Sequence, residues 1–271
     1  MYKLLLRKKN NIINKNNFII KDTTLNKNKA LNKDNALNKD KALNKDNALN
    51  KDNKDLIIIF ICHNNESIES VIKFDCPILV VGNYEISDKF KENKNIIIVR
   101  DLKYNIENEP KLLTFTAWYA IIKNELFLSY KYLCVLEYDV IISNNFQSNL
   151  NLLCKNNIII SFIKVNKNFL SNIIKEVLEK FLDFKNIKIN INEKFYWGAT
   201  TNQCMTREIL SDFVNWYYPD YLEIKMLDDK NLSWYHERLF TIYLKSKNIN
   251  TVFFNGLKHI QKNSHEILNR N

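Results

Sequence analysis

Apolar positions along the chain fall into short dense runs separated by polar stretches. Leu56-Ile-Ile-Ile-Phe-Ile-Cys62 is an unbroken, β-branched apolar run, the pattern of a strand buried on both faces. Pro77–Val81 and Asn95–Val99 repeat it, and the polar stretch Asn64–Phe74 suits a short helix between the first two. This β-α-β-x-β beginning predicts a parallel α/β sheet. Lys111–Ser129 then carries Leu112, Phe115, Tyr119, Ile122 and Leu126 at helical spacing. Strands are expected at Tyr132–Ile142 and Asn157–Ile163, and an amphipathic helix at Ser171–Phe184 with Ser171 as its N-cap. Helices at Thr206–Tyr217 and Ser233–Lys245 and a short strand at Thr251–Phe254 complete the pattern. The expected domain spans residues 56–271.

Residues 1–55 read differently. Leu25, Leu31, Leu37, Leu43 and Leu49 recur every six residues in units such as Leu31-Asn-Lys-Asp-Asn-Ala36. A step of six advances about 600° around a helix, so the leucines form no single apolar stripe. With many Asn and Lys and few apolar residues, a disordered tail is expected. It holds 14 Lys+Arg against 6 Asp, a net of +8 out of the chain's +10. Two readings stand: a basic arm for phosphate-rich partners or an anionic membrane surface, and a drifting repeat with no role, which the composition favours. The body is left nearly neutral, which argues against a dedicated, specific nucleic-acid-binding domain.

The five cysteines are scattered, without a C-x-x-C, so neither a zinc site nor a disulfide framework is indicated. Most lie in apolar runs, which favours a reducing compartment. No apolar run approaches the length of a membrane span. A cytoplasmic protein is expected, with a peripheral position at a membrane, through the basic tail, as the alternative.

Chemistry concentrates in Tyr132-Leu-Cys-Val-Leu-Glu-Tyr-Asp-Val-Ile-Ile142, where an apolar strand is interrupted by Glu137-Tyr138-Asp139. Strand periodicity places Glu137 and Asp139 on one face. Paired carboxylates in an apolar strand are costly unless a cation shares them, and hard oxygen ligands suit Mg²⁺ or Mn²⁺. The bland alternative is a strand end emerging into solvent. The carboxyl ends of the first three strands, where open α/β sheets bind ligands, carry Cys62-His63-Asn64, Gly82-Asn83 and Arg100-Asp101.

An acid-x-acid triplet following a strand, inside an alternating α/β half, resembles the DxD motif of GT-A-type nucleotide-sugar glycosyltransferases. Three further landmarks follow in that family's order: the Gly loop Tyr196-Trp197-Gly198-Ala199-Thr200, the helix-start acid in His236-Glu237-Arg238, and a C-terminal histidine in Leu257-Lys258-His259. The resemblance implies a mostly parallel mixed sheet flanked by helices, a nucleoside-diphosphate sugar donor and a glycan, lipid or protein acceptor. It implies Asp139 and His259 as ligands of a divalent metal (Mn or Mg). Glu137, Gly198, His63, Asn64 and Asp101 become donor contacts. Glu237 becomes the catalytic base of a hexosyl or similar transfer, with inversion favoured over retention. Each landmark also has a bland reading: a turn glycine at Gly198, a helix-dipole acid at Glu237, an ordinary polar residue at His259.

The rivals are a nucleotidyltransferase on a related sheet and a degenerate, non-catalytic sugar- or polyanion-binding module. The loop Cys62-His-Asn-Asn-Glu-Ser67 has no Lys or Arg to grip a triphosphate, which disfavours the first. No G-x-G-x-x-G or P-loop is present.

Overall fold

A computed structural model describes residues 55–154, 159–161, 164–165, 170–192, 197–198, 201–254 and 256–259. The expected tail thus lies outside the described residues, as do side chains of the Trp197–Gly198 segment and of His259.

The first apolar run is strand β1 (Leu56–Cys62), buried along its whole length. It is followed by helix α1 (Asn65–Val71) and by strand β2 (Ile78–Val80). A short helix α2 (Asp88–Lys91) leads to β3 (Ile96–Ile98), and after helix α3 (Thr114–Lys123) comes β4 (Tyr132–Glu137). Next are β5 (Val140–Ile142), α4 (Phe146–Cys154), β6 (Ile159–Ser161), β7 (Lys164–Val165), α5 (Asn172–Phe184), β8 (Trp197–Gly198) and β9 (Gln203–Thr206). Helices α6 (Arg207–Tyr217), α7 (Tyr221–Asp228) and α8 (Leu232–Ser246) precede β10 (Thr251–Phe253) and β11 (Leu257–His259).

Among the described residues the main sheet has seven strands in the order β10-β6-β9-β4-β1-β2-β3. Strands β3, β2, β1 and β4 are mutually parallel, as are β6 and β10; β9 runs antiparallel to both β4 and β6. The protein is therefore a mixed α/β fold with a mostly parallel sheet. Alternate residues of β1 serve two cores. Ile57, Ile59 and Ile61 pack with Phe115, Trp118, Phe213 and Phe240 from the helices on one face. Ile58 and Phe60 pack with Ile68, Phe146 and Leu150 on the other. Burying each such side chain contributes about 1.5–3 kcal/mol, and helices on both sides explain why β1 reads as a continuous apolar run.

Two expected elements are cut short. The helix expected over Lys111–Ser129 is a 3₁₀ turn (Pro110–Leu112) followed by α3, with positive φ at Leu113, Glu125 and Phe127. Leu126 still reaches the core, because its N–H returns to the Ile121 carbonyl at 2.9 Å. The strand expected over Tyr132–Ile142 breaks at Tyr138-Asp139. Its second half, β5, leaves the main sheet to pair antiparallel with β11. The continuous-strand argument for Glu137 and Asp139 thus does not hold; the pair sits on a strand end and the bend after it.

Candidate functional site

Because β1 to β4 are parallel, their carboxyl ends share one edge of the sheet. Antiparallel β9 brings its amino end to that same edge. This is where Glu137, Asp139, His63 and the residues just ahead of β9 meet.

Glu137 is the last residue of β4. The β4–β9 ladder stops at Val135–Gln203, and beyond it side chains take over. Asn202 Oδ1 accepts the Glu137 backbone N–H at 2.7 Å, and Asn202 Nδ2 donates to Glu137 Oε2 at 3.2 Å. The Thr201 hydroxyl donates to Glu137 Oε1 at 2.8 Å. Thr201 and Asn202 are both 0% exposed, whereas Glu137 is half-buried. Neither was singled out from the sequence. The available signal was the polar run Thr200-Thr-Asn-Gln203 leading directly into apolar Cys204-Met205.

His63 follows β1 and is half-buried. Its ring meets Tyr138 edge-on, centroids 5.9 Å apart at 85°. Burial pushes its pKa below the ordinary imidazole value; the fields of Glu137 and Asp139 and a hydrogen bond to the Val81 backbone oppose this. The ring contact with Tyr138, which stands between the two acids in sequence, puts His63 in the neighbourhood of Glu137 and Asp139, whose fields both act on it. Ser70 of α1 adds a long contact from its hydroxyl to the Tyr138 carbonyl, 3.5 Å.

Asn64 stands beside His63, but as the N-cap of α1. Its Oδ1 accepts the Ser67 N–H at 2.8 Å while Ser67 Oγ accepts the Asn64 N–H at 3.0 Å. This capping box explains an Asn at that position without a ligand. Asp101 ends the 3₁₀ turn after β3 and is largely exposed, 3.9 Å from Arg100. Strands β3 and β4 are three strand spacings apart, roughly 14 Å, so Asp101 is not beside Glu137. At the same edge Gly82 adopts φ +94°, a conformation that favours glycine, and its N–H donates to Glu107 Oε2 at 2.9 Å. Burial raises the Glu107 carboxyl, against the Gly82 hydrogen bond and Arg100.

His259 stands in β11 directly across from Val140, the residue after Asp139. Its backbone is thereby placed next to the acid bend. Gly198 stands in β8, paired with Lys164, and β8 lies against α8. Gly198 precedes Thr201 by three residues, so the two are at most about 11 Å apart.

Glu237 lies on α8, in its second turn rather than at its start, because the helix begins at Leu232. The helix dipole therefore acts on it less than expected, since that effect falls off within the first turn. Its side chain is 19% exposed, and Arg238 Nη1 donates to Glu237 Oε2 at 3.2 Å. Arg238, itself buried, also donates to the Trp234 carbonyl at 2.7 Å. One residue earlier, His236 is wholly buried between Phe115 and Trp118, with Nε2 3.2 Å from the Thr114 hydroxyl.

No helix among the described residues is long and apolar enough to cross a membrane. No family model matches the chain, and no curated protein matches it in sequence. Among solved structures, the apo form of the bifunctional glycosyltransferase WbbM is similar in fold, with a TM-score of 0.51 and 13% identity. The likeness covers 77% of this chain and 46% of that one, so the chain spans about half the length of that enzyme. At this identity what is shared is architecture: the mixed sheet and its flanking helices form a glycosyltransferase-like fold.

Proposed function

We propose that the protein is a glycosyltransferase of the GT-A type, moving a sugar from a nucleoside-diphosphate sugar to an acceptor hydroxyl on a glycan, lipid or protein. One observation carries the reading. A strand at the middle of a glycosyltransferase-like sheet ends at Glu137, with Tyr138-Asp139 in the bend after it, at the carboxyl edge where open α/β sheets bind ligands and beside His63.

Asp139 is the proposed ligand of a divalent metal, with His259 supporting it from the adjacent strand. Among the described residues no three His, Cys, Asp or Glu side chains converge to hold an ion by themselves. The proposed Mg²⁺- or Mn²⁺-type ion would be carried by one or two carboxylates together with substrate phosphates. When bound, such an ion supplies charge neutralisation for the leaving diphosphate. Glu137 orients donor hydroxyls as an acceptor. His63, less basic than an exposed histidine, offers a largely neutral ring to the nucleoside. Glu237 removes the acceptor proton, from a helix that lies on the Trp197–Gly198 strand. A base in this role implies inversion at the anomeric carbon. Residues 56–271 form the proposed transferase domain.

A thermal-shift screen with nucleoside-diphosphate sugars, with and without Mn²⁺, tests this reading, followed by a donor-hydrolysis assay. The expected result is stabilisation that needs both the diphosphate and the metal and disappears with chelator. No stabilisation by any nucleoside-diphosphate sugar, with or without Mn²⁺, refutes it.

A further inference from the structure

We infer that Asn202 and Thr201 are positioning residues that fix the Glu137 carboxylate for the donor; the inference rests on the transferase reading above. Three hydrogen bonds converge on this one acid from two consecutive, fully buried residues. Asn202 grips Glu137 at two points, backbone N–H and carboxylate, so it cannot turn without losing both. Thr201 holds the other carboxylate oxygen. One of these bonds ends on each carboxylate oxygen, so the clasp fixes the orientation of the group.

The topology gives the clasp a second consequence. Thr201 and Asn202 belong to the segment that links β8 to β9, and β8 lies on the helix carrying Glu237. The donor-side acid and the acceptor-side helix are therefore joined through the two residues of chain between Gly198 and Thr201. An apolar pair at 201 and 202 would fill the same volume but leave the Glu137 N–H without its acceptor, an outcome that buried polar groups avoid.

The test is a double-mutant cycle on the full-length chain, read as donor affinity by calorimetry with Mn²⁺ and the best nucleoside-diphosphate sugar from the screen. Asn202→Ala and Thr201→Val each weaken donor binding about ten- to a hundredfold, the scale of a lost hydrogen bond to a charged group. In a Glu137→Ala background both lose most of that effect, because the group they orient is gone. Thr201→Ser, which keeps the donating hydroxyl, recovers most of the affinity that Thr201→Val loses. A purely structural role predicts instead that the effects multiply in the Glu137→Ala background and that affinity tracks melting temperature. If Asn202→Ala fails to fold, the Thr201 pair decides alone. Donor binding by wild type with multiplicative effects overturns the clasp while leaving the transferase reading intact. Absence of donor binding by wild type overturns both.

Discussion

His236 should make this protein acid-sensitive in a way one substitution can isolate. It is 1% exposed, packed between Phe115 and Trp118, with Thr114 at one ring nitrogen. Burial, followed by the field of Arg238, pushes its pKa down to about 3. In the unfolded chain it returns to about 6.5. The folded value is the lower one, so below pH 6.5 the unfolded state takes up a proton that the folded state refuses. This contribution is fully retained above pH 6.5, falls as pH drops through 6.5, and levels off only near pH 3. At about 1.4 kcal/mol per pH unit it amounts to about 2 kcal/mol at pH 5 and about 4 kcal/mol by pH 3. His236→Gln keeps a polar group for Thr114 and removes the titration. Urea unfolding at pH 7.5, 6 and 5 reads both proteins. The variant should start less stable and lose about 2 kcal/mol less than wild type between pH 7.5 and 5. His63, also lowered by burial, remains in both and leaves a common residual slope. Parallel slopes, or a His236 ring proton titrating near pH 6.5 by NMR, would refute the reasoning.

Three further outcomes follow from the site and its supports. Asp139→Asn should abolish metal-stimulated donor binding while leaving the melting temperature within a few degrees; undiminished turnover in the presence of chelator sinks the metal assignment. Glu237→Gln should keep donor affinity and lose about 10²–10⁴ in kcat, and near wild-type kcat places the base elsewhere. Gly256→Ala should cost about 1–3 kcal/mol, since an added Cβ runs into the Phe254 ring and crowds Phe146 at 3.0 Å, straining the turn into β11; an unchanged melting temperature would show that the ring yields freely.

Much of the sheet was legible in the sequence because local chemistry decides it. A strand covered on both faces has to be apolar throughout, so β1, β2 and β3 announce themselves as β-branched runs. Helix α5 declares its start, since Ser171 accepts the Ile174 N–H at 3.3 Å, and its apolar residues recur with the helical period. The acid triplet was visible for a related reason: carboxylates at the end of a buried strand break its pattern. What the sequence could not reveal depended on partners distant in the chain. The break after Glu137 exists because β5 finds β11 more than a hundred residues later, a pairing with no local signature. Helix α3 stops at Lys123 although its apolar spacing continues, because Leu126 reaches the same core from a turn. The Asn64 cap needs the backbone of Ser67 at a set angle before it can be told from a ligand contact. The grip of Thr201 and Asn202 on Glu137 arises because β9 runs against its neighbours in the main sheet and delivers its leading polar residues to the carboxyl edge. Strand direction is set by how the chain crosses the sheet, and only the tertiary structure decides that.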